Sequence, residues 1–445
     1  MKNMKLKRLY IMAAMSCVTM AALAQWQPVP AFALELNKES GVYAKGEKVE
    51  LTLLPQEGAP DSLYFKIYRN NAVIEQGYVP AMEPVKLVNE SFSESCAMYA
   101  EVSTSSRGFG AVGKGFAVAP EEIEAGYEEP ADLMQYWMEQ KRRQAALPMD
   151  PKLTPLQIPE TDRNDYVCYD VELNALGPRP ARAYFAKPVK AAKKSLPIVI
   201  LCRAAGVSGD WCRCQVGECL SNAKKGEKGA LSLDLNAHGM LNGQPNEYYT
   251  NLEKGELNNY YHQGIESRET YYFYGMYMRL LRAIEFMAMQ PEWDGERILV
   301  IGESQGGGQA SAAAGLDSRV SAVVLNVPAM MDFGAYRKGR RGGWPQPYET
   351  NLERVGKQTL DSVLPYFDAA LLLKNSDAEI ICELGLIDTT CPATSVYSGL
   401  NNAIGEKIVN AVSYRQHSWP SGQIRPEWEK KYLQQRLDFI DNYLK

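Results

Sequence analysis

Ser304 stands in the stretch Gly302-Glu303-Ser304-Gln305-Gly306-Gly307, behind the apolar run 297–301 and ahead of the small-residue run 308–316. A serine hydroxyl is a weak nucleophile until a neighbouring base takes its proton. A G-x-S-x-G motif between an apolar strand and a helix has the form of a nucleophile elbow, a sharp turn that lifts the hydroxyl above the sheet. Gly302, Gly306 and Gly307 suit such a turn, because a residue without a Cβ lets the chain reverse tightly and the helix approach the strand. The chemistry implied is acyl transfer.

Three more parts are then required. The base is expected to be histidine, and the chain has three: His238, His262 and His417. The chain order for this elbow is serine, acid, histidine, and only His417 follows Ser304. It sits in SYRQHSWP, just after the strand-like KIVNAVSY. The acid belongs between them at the end of another strand, where EIICELGLID supplies Asp388 to orient the imidazole and stabilise its charged form. Asp368 and Asp377 precede that strand and are worse placed. The oxyanion of a tetrahedral intermediate needs N–H donors. The expected donors are the backbone amides of Gln305, directly after the serine, and of Ala205, in the loop of LPIVILCRAAGVSGDW. His238 in NAHGM falls near the expected active-site face and is expected to make a loop-stabilising hydrogen bond, or else to contact substrate; Arg203 in RAAG is a second candidate substrate contact. The tyrosine-rich stretch 246–264 is expected to pack under a loop, or else to stack on a sugar ring. The basic stretch 336–349 would be a solvated loop, or else an attractor of anionic substrates.

These residues need a scaffold. Beyond residue 195 the short apolar runs LPIVIL, GALSLDL, RILVIG, VSAVVLNV, EIICELGL and KIVNAVSY alternate with stretches of helical period. The alternation predicts an α/β class with a mostly parallel sheet and helices on both faces. Residues 32–118 read differently: apolar and polar residues alternate between Gly and Asn turns, as in a small all-β, immunoglobulin-like sandwich. APEEIEAGYEEPAD reads as a polar linker, and DLMQYWMEQKRRQAAL as an amphipathic helix with Asp132 as a possible cap. The expected organisation is a leader over 1–24, a β-sandwich over 25–120 and a catalytic unit over 121–445.

The chain of 445 residues carries a net charge of −5 and 46% hydrophobic residues. Mixed charge of both signs argues against a nucleic-acid partner. The first residues combine Lys2, Lys5, Lys7 and Arg8 with a short apolar run ending Ala22-Leu23-Ala24, the pattern of a cleaved secretory signal. The run is too short for a comfortable membrane span. A lipid-modified Cys17 is the weaker alternative, since the apolar stretch continues past it. The mature chain is thus expected to be periplasmic or secreted, with no membrane span. Of nine cysteines, Cys212, Cys214 and Cys219 cluster in WCRCQVGEC. Their spacing fits no common zinc pattern, so packed thiols or a disulfide are expected and no metal.

At this point the residues resemble the acetyl xylan esterase/cephalosporin C deacetylase group, carbohydrate esterase family 7 of the α/β-hydrolases. The likeness covers residues 131–445. It is most specific in ESRETYYFYGMYMRLLRAIEFMAMQPEWDGERILVIGESQGGGQASAAAGLDSRVSAVVLNVPAMMDF, with LPYFDAALL and GLIDTTCPATSVYSGLN also similar. The resemblance implies an α/β-hydrolase fold with Ser304 as nucleophile, Asp388 as acid and His417 as base. It implies removal of acetyl groups from acetylated oligo- or polysaccharide, without cofactor, often in a homo-oligomer. The chain departs from the family where NAHG (236–239) replaces Arg-Gly-Gln-Gly, RAAG (203–206) replaces His-Gly-Tyr, and Ser418 rather than glutamate follows the histidine. The leading β-domain is not part of the family's basic pattern. A glucuronoyl esterase, a peptidase, or a glycan-binding protein with a degenerate enzyme domain are the alternatives the sequence leaves open.

Overall fold

The computed structural model describes residues 31–108 and 111–445. The expected leader, with Cys17, lies outside the described residues.

Eight strands form the leading β-region: β1 (Phe32–Leu36), β2 (Val42–Tyr43), β3 (Lys48–Pro55), β4 (Ser62–Arg69), β5 (Ala72–Pro80), β6 (Val85–Ser91), β7 (Cys96–Ser103) and β8 (Val112–Val118). They build a three-stranded sheet, β1-β3-β6, and a five-stranded sheet, β2-β8-β7-β4-β5. The period-2 pattern explains the pairing of the two sheets. In β3, Val49, Leu51 and Leu53 point inward and are wholly buried, and they meet Leu63, Ile67, Met98 and Phe116 in one core. Asn70 and Asn71, both at positive φ, close the two-residue turn between β4 and β5, where Arg69 pairs with Ala72. Asparagine tolerates that conformation better than most residues.

The stretch after β8 differs from the free linker its polarity predicts. Ile123 and Tyr127 are buried, the Asn401 side chain donates to the carbonyls of Pro120 and Ile123 at 2.8 and 2.9 Å, and Gly126 N–H donates to Asp332 Oδ1 at 2.7 Å. Helix α1 (Leu133–Ala145) follows and buries Leu133 and Trp137 as its period predicts. Asp132 does not cap it. Its carboxylate accepts from the Tyr366 hydroxyl instead.

The remaining strands are β9 (Lys152–Pro155), β10 (Tyr166–Leu173), β11 (Ala181–Pro188), β12 (Leu196–Cys202), β13 (Leu231–Asn236), β14 (Trp293–Glu303), β15 (Ala322–Asn326), β16 (Glu379–Gly385) and β17 (Lys407–Val412). They form one sheet in the order β17-β16-β15-β14-β12-β13-β11-β10-β9. The pairs from β13 through β12 and β14 to β17 are parallel, and those from β9 to β13 are antiparallel. All six apolar runs read from the sequence lie in the parallel part. From β12 to β16 they are continuous rather than alternating because both faces are covered, whereas the edge strand β17 leaves Ile408 and Val409 exposed. Ile198, Ile200, Ile298 and Val300 face helices α4 (Tyr272–Ala288) and α5 (Gln305–Leu316), which follow α2 (Val216–Ala223) and α3 (Asn246–Lys254) in the chain. Val199, Leu299, Val324 and Ile381 face the C-terminal Ile440 and Leu444. The chain leaves β12 to one side for β13 and returns to its other side for β14. Such a reversal opens a crevice at the carboxyl ends of the strands, where open α/β sheets bind ligands.

Candidate active site

Strand β14 ends at Glu303 and α5 begins at Gln305, so Ser304 is the single residue of the turn. Its backbone sits at φ 52, ψ −117, a conformation that L-residues occupy only when the surroundings impose it. Three hydrogen bonds impose it. Ser304 N–H donates to Asn326 O at 2.9 Å, and its carbonyl accepts from Gly308 and Ala329 at 3.1 and 2.9 Å. Glycine is mandatory on both sides. A Cβ at Gly302 would lie 1.9 Å from Gly306 O, and one at Gly306 would lie 2.0 Å from Cys202 O.

The strand ends then bring three distant residues together. His417 Nε2 lies 3.0 Å from Ser304 Oγ, and His417 Nδ1 lies 2.8 Å from Asp388 Oδ2. Asp388 follows β16 and is buried. Its other oxygen accepts the Thr390 and Cys391 amides at 2.8 and 2.9 Å. A carboxylate so fixed can hold the imidazole in one tautomer, with Nδ1 protonated and Nε2 free to take a proton from the serine. The histidine is the exposed member, with 27% of its side-chain surface accessible. Among the described residues, Asp388, Cys391 and His417 are the group whose ligating atoms converge within 4.8 Å. A cation there would have to displace the Nδ1 proton and compete with the two backbone amides that hold Asp388.

Gln305 is the first residue of α5, so its N–H has no acceptor within the helix and faces the serine's side of the turn. Its side chain accepts from the Tyr260 hydroxyl. The Ala205 loop follows β12, whose Cys202 pairs with Gly302. The exposed Trp211 indole donates to Ala205 O at 2.9 Å.

Of the two candidate substrate contacts, His238 makes the loop-stabilising bonds and Arg203 is held by carboxylates. His238 is buried, with Nε2 2.8 Å from Gly206 O and Nδ1 2.6 Å from the Tyr272 hydroxyl. Burial, against one hydrogen bond to Gly206, holds its pKa down to about 3. It is a neutral brace beneath the loop after β12, with no ring nitrogen left for substrate. Arg203 is committed too. Its Nε and Nη2 grip Asp234, and Nη1 lies 2.8 Å from Glu218. Both sites looked open in sequence because their partners lie 15–34 residues away.

The tyrosine-rich stretch packs rather than lines an open groove. Tyr249 and Tyr260 are buried, and Tyr260 meets the His238 ring edge-on at 4.5 Å between centroids. The basic loop is largely neutralised: Arg337 pairs with Asp361, Lys338 with Glu124 and Arg340 with Asp332. The eight described cysteines are buried free thiols. Cys214 Sγ, for one, donates to Asp234 O at 3.0 Å.

Residues missed in sequence hold the histidine loop. Arg415, two positions before His417, is fully buried, contacts Glu383 Oε1 and lies 2.9 Å from Asn326 Oδ1. Trp428 Nε1 donates to the same glutamate oxygen at 2.6 Å. The signal was there: EIICELGL carries a charge inside a wholly apolar strand. Replacing Arg415 with Leu would leave Glu383 buried without a counter-charge, and removing one partner of a buried pair costs about 3–5 kcal/mol. Denaturant melts of Arg415→Leu should show that loss. Arg415→Leu combined with Glu383→Leu should recover part of it.

Comparison with known proteins supplies the context. The family model described as Acetyl xylan esterase (AXE1) matches residues 121–434. The acetyl esterase Axe7A of Xylanibacter ruminicola is 25% identical over 323 residues, which is 71% of this chain and 70% of that protein. An acetyl xylan esterase from Paenibacillus sp. R4 superposes with a TM-score of 0.60 at 23% identity, over 73% of this chain and 98% of its own. Acetyl xylan esterase 1 from Thermoanaerobacterium sp. JW/SL YS485 does so with a TM-score of 0.58 at 20% identity, over 73% and 98%. At that identity the two structures speak for the fold, which is that of an α/β-hydrolase preceded by an all-β region.

Proposed function

Because the chain belongs to the acetyl xylan esterase family, and is thereby a carboxylic ester hydrolase, we propose that it removes acetyl groups from acetylated carbohydrates with Ser304, His417 and Asp388. The relay of 3.0 and 2.8 Å from Ser304 Oγ through His417 to Asp388 is the observation that carries this reading.

In the proposed reaction Ser304 Oγ attacks the acetyl carbonyl carbon as His417 Nε2 takes its proton. The amides of Gln305 and Ala205 receive the developing oxyanion. The bond from the acetyl carbon to the sugar oxygen breaks, and His417 returns the proton to that oxygen. A water then attacks the acetyl-serine, with the same nitrogen as base, and acetate leaves. Residues 1–24 would direct export to the compartment where polymeric sugar esters occur, and among the described residues no helix is long and apolar enough to cross a membrane.

The deciding experiment has two arms. Acetate release from acetylated xylo-oligosaccharides tests the substrate, and covalent labelling by a fluorophosphonate, mapped to Ser304, tests the nucleophile. A labelled serine without acetate release would refute the sugar-ester assignment. Failure to label would refute the nucleophile.

Trp211 supplies a further expectation. Its indole is 54% exposed beside the Ala205 loop, and an exposed ring at a carbohydrate site offers a stacking face. Trp211→Phe keeps a face and Trp211→Ala does not. The alanine variant should lose about fivefold in kcat/KM on the oligosaccharide, from ~1 kcal/mol of lost ring contact, and clearly less on a small aryl acetate. Equal losses on both esters would remove the stacking role.

A further inference from the structure

The β-sandwich does not hang from the catalytic unit by a tether. Strand β8 divides its two faces between them. Phe116 and Val118 enter the sandwich core, whereas Ala117 belongs to the core of the large sheet. The residues on the same face as Ala117 are Gly113 and Gly115, and β7 adds Ala97. This small-residue face meets the two loops that carry the acid and the base. Gly115 N–H donates to Ser413 O at 2.7 Å, four residues before His417. A Cβ on Gly115 would lie 2.5 Å from Leu386 O, and one on Gly113 would lie 2.9 Å from Ile387 Cδ1. The turn between β4 and β5 reaches the same loop: Asn71 Nδ2 donates to the carbonyl of Asp388 itself at 3.2 Å. Outside this patch, Glu39 pairs with Lys431 at 2.6 Å and Lys114 lies over the Tyr414 ring.

We propose that the β-sandwich is a positioning element of the active site, whose strand β8 and Asn70–Asn71 turn clamp the loops of Asp388 and His417 so that the acid meets His417 Nδ1. This rests on the reading of those two residues as acid and base. The physical reasoning is direct. Leu386 N–H and Ile387 N–H bond Val412 O and Arg415 O at 3.0 and 3.3 Å, so the two loops are linked to each other on their inner side. On the outer side they are held by the sandwich. A displacement of the acid by a fraction of an ångström lengthens a 2.8 Å bond and costs rate rather than binding, because misplaced catalytic groups act on the transition state. Asn71, Gly113 and Gly115 are therefore positioning residues. The close approach also explains two glycines within one strand, where glycine otherwise weakens a sheet.

The test uses the full chain with two variants. Gly115→Ala places a methyl group against the backbone of Leu386, which no side-chain rotation can relieve. Asn71→Gly removes one hydrogen bond at a partly exposed turn and keeps a residue that accepts the positive φ there, so it serves if Gly115→Ala does not fold. Lys86→Ala, on the other sheet of the sandwich, is the control. Each is measured for kcat and KM on a small aryl acetate, and for the low-field proton resonance of an imidazole N–H held against a carboxylate, assigned by its loss in His417→Gln. The expected result is a kcat lowered on the order of tenfold in Gly115→Ala and severalfold in Asn71→Gly, with KM unchanged. The low-field resonance should shift or broaden in both, and Lys86→Ala should match the wild type. Folded variants with wild-type kcat and an unchanged resonance would overturn the proposal. If the wild-type chain hydrolyses no ester, the proposed function fails by itself, while the resonance still decides whether the sandwich holds the acid.

Discussion

Ser304→Ala is expected to lower kcat for acetyl-ester hydrolysis by about 10⁵–10⁶ while leaving KM and the fold in place. The size follows from what is lost. Without the Oγ no acyl-enzyme forms, and the remaining turnover is attack by water within the same oxyanion site, which usually retains about 10³–10⁴ over the uncatalysed reaction. Structure survives because alanine keeps the Cβ and the backbone. The strained turn at φ 52 is imposed by the hydrogen bonds to Asn326, Gly308 and Ala329, none of which uses the hydroxyl. The check is acetate release by the variant under saturating substrate, with a melting curve beside it. A variant that kept even one-tenth or so of the activity would exclude Ser304 as nucleophile, since a loss of that size lies far below what removal of a nucleophile costs.

Asp388→Asn is the second large effect, expected at about 10⁴ in kcat, and its cause is the tautomer rather than the geometry. The aspartate presents one oxygen to two backbone amides, at Thr390 and Cys391, and the other to His417 Nδ1. An asparagine has one oxygen and one NH2. The amides are fixed donors, so the oxygen must stay with them and the NH2 must face His417. A donor at that place requires Nδ1 to accept. The neutral imidazole then carries its proton on Nε2, where it can no longer take one from Ser304. The negative charge that would steady the imidazolium is lost as well. Steady-state kinetics with an unchanged melting temperature would show this. A drop of less than about tenfold would mean that another group orients the imidazole, because loss of the orienting acid typically costs several orders of magnitude.

Much of this was legible before any coordinates. The six apolar runs became the parallel strands, and in all but the edge strand β17 their composition is matched by burial on both faces. The elbow was readable because a strand, a Gly-flanked serine and a small-residue helix leave the chain one way to turn. Asp388 and His417 followed from chain order combined with the rule that functional loops lie at the carboxyl ends of the strands. Family resemblance agreed with each of these placements. Other readings turned on partners distant in the sequence. Asp132 had the residue type of a cap, but the Tyr366 hydroxyl was the stronger partner. His238 and Arg203 were polar residues in loops near the expected site, and whether such a residue faces substrate depends on what stands behind it. Tyr272 and Asp234 stand behind these two.

The sequence by itself determined the elements and the division into an all-β region and an α/β unit, because periodicity and turn chemistry are local properties, and it ordered the proposed catalytic residues along the chain. It also recorded, without explaining, a charge within β16 and two glycines within β8. Only the tertiary structure decided that Glu383 and Arg415 form one buried pair under the histidine loop, and that Gly115 is bare so that Leu386 can lie against it. Periodicity tells which face of a strand is covered. What covers it is set by segments hundreds of residues away, whose approach is fixed by packing and by the pairing of buried polar groups.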